Sequence, residues 1–319
     1  MLVPVLLFLL GFVLLIFGGD RFVDGATGLA HRFHMPELLI GATVVSIGTT
    51  LPEVMVSSQA ALQGNSGISY GNAIGSIICN TALIQGLAIA VKPGLVNQKA
   101  LRLPVIFFFI AAIYYSFVVY TAGEFARWQG FVLLAMFVIY MYLSYRSIAS
   151  GNGEAEEAEF KETSLAMDLV QLIGGAAAIA FGANLLVNNG TLIAQALGVP
   201  DSVIGLTVVA LGTSLPELIT TIQSLLKGHS ALGLGNVIGA NIFNLVLVSG
   251  MAISISPFKV PSEKLFMGMN SSLVIDIPLM LAVMTVLSIP PLLTGKAKRW
   301  QGILLLASIV AYWTYQFLF

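Results

Sequence analysis

Positions 36–93 and 200–257 of this chain align without a gap, and 26 of the 58 pairs are identical. Both copies lie inside long apolar runs, so a fold that suits one must suit the other. Pro36 pairs with Pro200, Gly48 with Gly212, Glu53 with Glu217, Gly75 with Gly239, Asn80 with Asn244 and Pro93 with Pro257. Each glutamate follows a proline in sequence apolar enough to be a membrane span. A chain that sets this conflict twice, 164 positions apart, is built from two equivalent halves.

The solvent follows from composition. With 57% hydrophobic and 9% charged residues and a mean hydropathy of +0.94, a water-soluble globule is excluded, and the fold class is an all-α polytopic membrane protein. Apolar runs predict ten transmembrane helices, at about 2–30, 36–63, 69–91, 103–121, 127–146, 165–197, 200–227, 233–256, 271–293 and 299–318. The start, MLVPVLLFLLGFVLLIFGG, lacks a basic n-region and an A-x-A-like cleavage site and reads as a retained first span. A glycine-rich acidic stretch, SGNGEAEEAEFKETS, reads as a flexible linker. The domains expected are therefore a five-helix repeat over 1–146, a linker over 147–164 and a second five-helix repeat over 165–319.

Five spans per half is an odd number, so equivalent helices must cross the membrane in opposite directions. That is an inverted-topology repeat, which suits a transporter presenting one midplane site to either side. With the N-terminus outside, Arg21, Arg32, Lys92, Lys99, Arg102, Arg146, Lys161, Lys227, Lys296, Lys298 and Arg299 all fall on the cytoplasmic side. Only Arg127, Lys259 and Lys264 fall opposite, so the positive-inside rule makes the linker cytoplasmic. The expected location is the plasma membrane. A net charge of −1 and scattered basic residues exclude a nucleic-acid partner, and no obligatory protein partner is indicated beyond the lipid bilayer.

Within the second span, Ser46, Thr49 or Thr50, Glu53 and Ser57 recur at helical spacing and form one polar stripe. Pro52 has no N–H, so the carbonyl of Gly48 is expected to lose its helical partner beside that stripe. Ala210, Thr213, Ser214, Pro216 and Glu217 repeat the arrangement. Asn72, Ser76 and Asn80 lie on one face of the third span, matched by Asn236, Ala240 and Asn244, with Gly71, Gly75, Gly235 and Gly239 alongside for close helix approach. Carboxylates, hydroxyls, amide oxygens and freed carbonyls are hard donors that suit Ca²⁺ or Na⁺ rather than zinc, copper or iron.

The paired GTTLPE (48–53) and GTSLPE (212–217), with GNAIGSIICN (71–80) and GNVIGANIFN (235–244), closely resemble the two α-repeats of the cation/Ca²⁺ exchanger superfamily, in particular its prokaryotic sodium/calcium exchanger branch. The resemblance covers nearly the whole chain. It implies that Glu53 and Glu217 are the main Ca²⁺ ligands, that Thr50 and Ser214 contribute side chains, and that Thr49 and Thr213 contribute backbone carbonyls. It also implies that oxygens of Ser46, Ala210, Ser76, Asn80 and Asn244 surround flanking Na⁺ positions. The chain departs from the pattern at Asn244, where the branch often carries Asp, and at Ala240, where it often carries Ser.

The function expected is Na⁺/Ca²⁺ antiport by alternating access, with both ions bound as substrates and no cofactor. The alternatives are a Ca²⁺/H⁺ or K⁺-dependent exchanger on the same scaffold and, from another class, a cation channel. An enzyme is not expected, since His31, His34 and His229 are predicted in loops and no nucleophile–base pair stands out. Structural roles are expected for Asn72 and Asn236, helix capping for Asp276, and local capping or pairing with Arg21 for Asp20 and Asp24. Cys79 is expected to pack, having no second cysteine to pair with.

Overall fold

In a computed structural model the structure describes residues 2–149, 163–197, 210–262 and 265–318. Residues 200–209 of the seventh expected span, Lys264 and most of the acidic linker lie outside the described residues. Eight helices among the described residues are long and apolar enough to cross a membrane. They are α1 (Leu2–Arg32), α2 (Glu37–Leu62), α3 (Ser66–Val91), α4 (Gln98–Thr121), α5 (Arg127–Ala149), α6 (Leu165–Ala196), α8 (Ser230–Ile255) and α9 (Ser272–Thr294). Two more lie between and after these: α7, in the pieces Ala210–Thr213 and Leu215–Leu226, and α10 (Arg299–Leu318).

Helices α3 and α4 start earlier than their apolar runs suggest because their first turns are polar and capped. The Asn65 side chain accepts from the Ile68 N–H to open α3, and Asn97 accepts from Ala100 to open α4. Likewise α1 continues through Arg32, so His31 is helical rather than in a loop. Helix α5 runs to Ala149, into the stretch expected as linker.

The inversion is visible in two short antiparallel pairs. Gly94–Leu95 pairs with Lys296–Ala297, and Glu124–Phe125 pairs with Phe258–Lys259. Between residues 95 and 124 runs α4, whose 24 residues rise about 36 Å, enough to cross a bilayer core. The two pairs therefore lie on opposite faces of the molecule. Gly94–Leu95 and Phe258–Lys259 follow α3 and α8, equivalent helices of the two halves, so equivalent connections face opposite ways.

Helices α3 and α8 form the centre. They are 72% and 78% buried over their most apolar windows, against 22% for α1 and 17% for α5. Helix α1 lies along α6, where a methyl group on Gly175 would come within 2.6 Å of the Phe22 backbone nitrogen, so only glycine permits this approach. Arg32 fastens the same two helices, its Nη2 lying 3.0 Å from the buried Asp168 carboxylate.

Candidate functional site

Four helices meet at the centre, and their apolar faces are interrupted by polar side chains at the same depth. Helix α2 contributes Ser46, Thr49, Thr50 and Glu53; α3 contributes Ser76 and Asn80; α8 contributes Asn244; all are buried. From α7 come Glu217 and Ser214, also buried, and Thr213, which is half-buried. Ala210 belongs to the short helical turn that precedes the α7 break.

Both oxygens of Glu53 and of Glu217 lack a hydrogen-bond partner among the described residues, as do Thr50 Oγ1, Ser214 Oγ and the amide groups of Asn80 and Asn244. Two unpaired buried carboxylates cannot persist as free anions in low dielectric; cations or protons must balance them. The surrounding donors are neutral oxygens, the set that completes a hard-cation shell.

Local backbone geometry presents these groups. Helix α7 breaks at Ser214, whose φ of −89° and ψ of 3° interrupt the α-helix, and Pro216 lies in the first turn beyond. Pro216 has no N–H to offer the Gly212 carbonyl. In α2 the outcome differs: Pro52 sits inside an unbroken helix over Ser46–Leu62. Widened π-helical turns appear at Gly41–Val45, Cys79–Gln85 and Asn244–Val248. Two of them carry Asn80 and Asn244, and a π turn rotates one side chain out of α-helical register. Nothing in the sequence marked these turns.

Some of the expected ligands are also bonded across helices. Thr49 Oγ1 donates to Asn236 Oδ1 at 3.1 Å. The Ser46 hydroxyl lies 2.7 Å from the Gly41 carbonyl and 3.0 Å from the Asn236 carbonyl, so its one proton is shared between its own helix and α8. Asn72 donates to the Glu53 carbonyl at 3.2 Å and to Ser57 Oγ at 2.8 Å, which is the structural role expected of it. Cys79 is buried beside Ser214.

One expectation needs correction and two gain a partner the sequence did not suggest. Asp276 is not a capping residue; it ends a π turn inside α9 and its carboxylate accepts from Tyr312 at 3.1 Å. Asp20 lies 3.9 Å from Arg21, but the closer partner is Lys227, whose Nζ is 2.8 Å from Asp20 and 2.6 Å from Asp24. Their long separation in sequence hid that pairing. His229 lies between helices as expected, and its Nδ1 meets Glu37 Oε1 at 2.6 Å, joining the starts of α8 and α2.

Comparison with known proteins follows the same lines. A family profile described as "Sodium/calcium exchanger protein" matches residues 3–146 and 167–318. The chain is 37% identical to a membrane protein of Methanocaldococcus jannaschii, covering 94% of this chain and 93% of that one. It is 32% identical to the sodium/calcium exchanger MaX1 of Methanosarcina acetivorans, covering 96% of each. A solved structure of the sodium-calcium exchanger NCX_Mj, soaked with Na⁺ and Sr²⁺, superposes with a TM-score of 0.82 at 34% identity, covering 97% of both chains.

Proposed function

As a member of the sodium/calcium exchanger family, the chain exchanges Na⁺ for Ca²⁺ across a membrane, and we propose that it does so by alternating access at the central oxygen cluster. One observation carries the reading. The buried groups without partners, Glu53, Glu217, Thr50, Ser214, Asn80 and Asn244, are related by the 164-residue offset of two inverted halves. Glu53 and Glu217 hold Ca²⁺, helped by the Thr50 and Ser214 hydroxyls and the Thr49 and Thr213 carbonyls. Na⁺ takes flanking positions among oxygens of Ser46, Ala210, Ser76, Asn80 and Asn244. Carboxylates serving one ion set at a time make the exchange obligatory, because leaving both anions bare in the protein interior is costly.

In this reading all ten helices span the plasma membrane, as five-helix halves over 1–146 and 165–319 joined by a cytoplasmic linker over 147–164. The N-terminus is outside. Support for the orientation comes from the face where Lys92, Lys296 and Lys298 gather around the Gly94–Leu95 pair. Single cysteines replacing Asn65 and His229, with Cys79 replaced, are expected to be labelled from opposite faces.

The coupling ion follows from titration chemistry. Asn80 and Asn244 offer neutral carbonyl oxygens and do not titrate, leaving Glu53 and Glu217 as the only acids of the cluster. Purified protein in liposomes, with Na⁺, K⁺ and pH gradients imposed separately, tests this. A Na⁺ gradient alone at equal pH is expected to drive Ca²⁺ uphill. Uptake indifferent to Na⁺ but reversed by inverting the pH gradient would overturn the choice of ion.

A further inference from the structure

Helix α7 continues its polar side past Glu217 with Thr220, Thr221 and Ser224, all buried and all without a hydrogen-bond partner among the described residues. Hydroxyls in such helices ordinarily donate to a carbonyl one turn back. Thr27, Thr43, Thr285, Thr294 and Thr314 each do so here. The α7 hydroxyls do not. Gln85 on α3 has a buried amide oxygen that is also unpartnered.

These groups lead somewhere. Thr221 and Gln85 line a cavity of about 40 Å³ that extends to exposed Lys92, Gly94 and Leu95. That volume has room for water. Leu38 of α2 and Leu234 of α8, both buried, also line it. From Glu217 to Ser224 is about 10 Å along the helix, so the row connects the carboxylate with the closed face.

The repeat does not explain this row. At the equivalent places α2 has Val56, Ser57 and Ala60, and its one hydroxyl accepts from Asn72. Gln85 is matched by Ser249, which donates to the Asn244 carbonyl. The unpartnered groups of the α7 row and Gln85 therefore have no unpartnered counterparts at positions 56, 57, 60 and 249.

We propose that Thr220, Thr221, Ser224 and Gln85 line the route by which ions pass between Glu217 and the face carrying Lys92, held shut in this structure by Leu38 and Leu234. The proposal rests on the alternating-access reading above. The row supplies neutral oxygens and no carboxylate, so Na⁺ or Ca²⁺ is resolvated stepwise without a second site deep enough to trap the divalent ion.

The test uses the full chain with Cys79→Ala, reconstituted in liposomes and carrying Thr221→Cys or Ser224→Cys. A small cationic, membrane-impermeant methanethiosulfonate is applied to one face at a time. Labelling is expected at least roughly ten-fold faster from the Lys92 face, with loss of Na⁺-driven Ca²⁺ uptake. A second variant, Gln85→Leu with Thr221→Val, is expected to slow maximal exchange roughly ten-fold while leaving half-saturating Ca²⁺ unchanged. Labelling from the other face, or from neither face while the Cys79→Ala protein exchanges normally, overturns the route. So does a double variant with unaltered maximal rate. If the Cys79→Ala and parent proteins insert but move no Ca²⁺ against Na⁺, the antiport reading fails instead, and sided labelling still decides the route.

Discussion

The starts of α3 and α8 have closely related sequences, yet among the described residues the α8 glycines are tightly packed and the α3 glycines are not. A methyl group on Gly235 would fall 2.1 Å from the Leu38 carbonyl oxygen, and one on Gly239 would fall 2.3 Å from Ser46 Oγ. At the equivalent Gly71 and Gly75 no described atom lies within 4 Å. Asn236 is fully buried against Thr49, whereas Asn72 is half-buried and bonds the Glu53 carbonyl instead. The tight approach is thus a property of packing and not of the motif, because both copies hold the motif and, among the described residues, only the α8 copy meets a close neighbour. Under the proposed cycle the opposite state exchanges these two environments.

The largest effect separates chemistry from packing. If the halves are unequal only in packing, Glu53→Gln and Glu217→Gln lose Ca²⁺ exchange equally, each falling to the background of empty liposomes while remaining inserted. Substantial exchange by either variant would remove that carboxylate from the site. Next in size is the tight approach itself. Gly235→Ala is expected to weaken the closed face by about 1–3 kcal/mol through overpacking, making a cysteine at Ser224 more reactive from the Lys92 face. Gly71→Ala leaves this state unstrained and hinders the opposite one, so it shifts that reactivity the other way.

Acid acts on both halves alike. A proton on Glu53 or Glu217 removes charge that Ca²⁺ needs, so exchange declines as pH falls and recovers when Ca²⁺ is raised. The smallest effect concerns one hydrogen bond. Ser46 donates to α8, whereas its counterpart Ala210 has no hydroxyl, so the present packing holds one bond that its mirror lacks. Ser46→Ala is expected to cost this state about 0.5–1.5 kcal/mol, and the swap Ser46→Ala with Ala210→Ser to reverse the bias, both read by the same sided labelling.

The glutamates, the paired motifs and the helix order were legible in the sequence because membrane spans and a gapless repeat leave a periodic, compositional trace. Asn80 and Asn244 were legible as members of a polar face, but the π turns that carry them were not, since a widened turn has no residue signature. Pro52 and Pro216 read identically, yet only α7 breaks; α2 is held by Ser46 and Thr49 against α8. The pairing of Asp168 with Arg32, 136 positions away, left no local mark in the sequence. Asymmetry between the halves was the least legible feature, because an alignment reports what two copies share.

The short strand pairs also set a timetable for synthesis. Gly94–Leu95 cannot pair until Lys296–Ala297 has been made, about 200 residues later, which at ordinary translation speeds is roughly 10–40 s. Glu124–Phe125 likewise waits for Phe258–Lys259. Until α8 has been made, the first half sits in the membrane with Glu53 lacking the wall that will enclose it. The nascent chain must therefore be sheltered by lipid, water or the insertion machinery until its own second half arrives, and a chain truncated after the linker has nothing with which to finish.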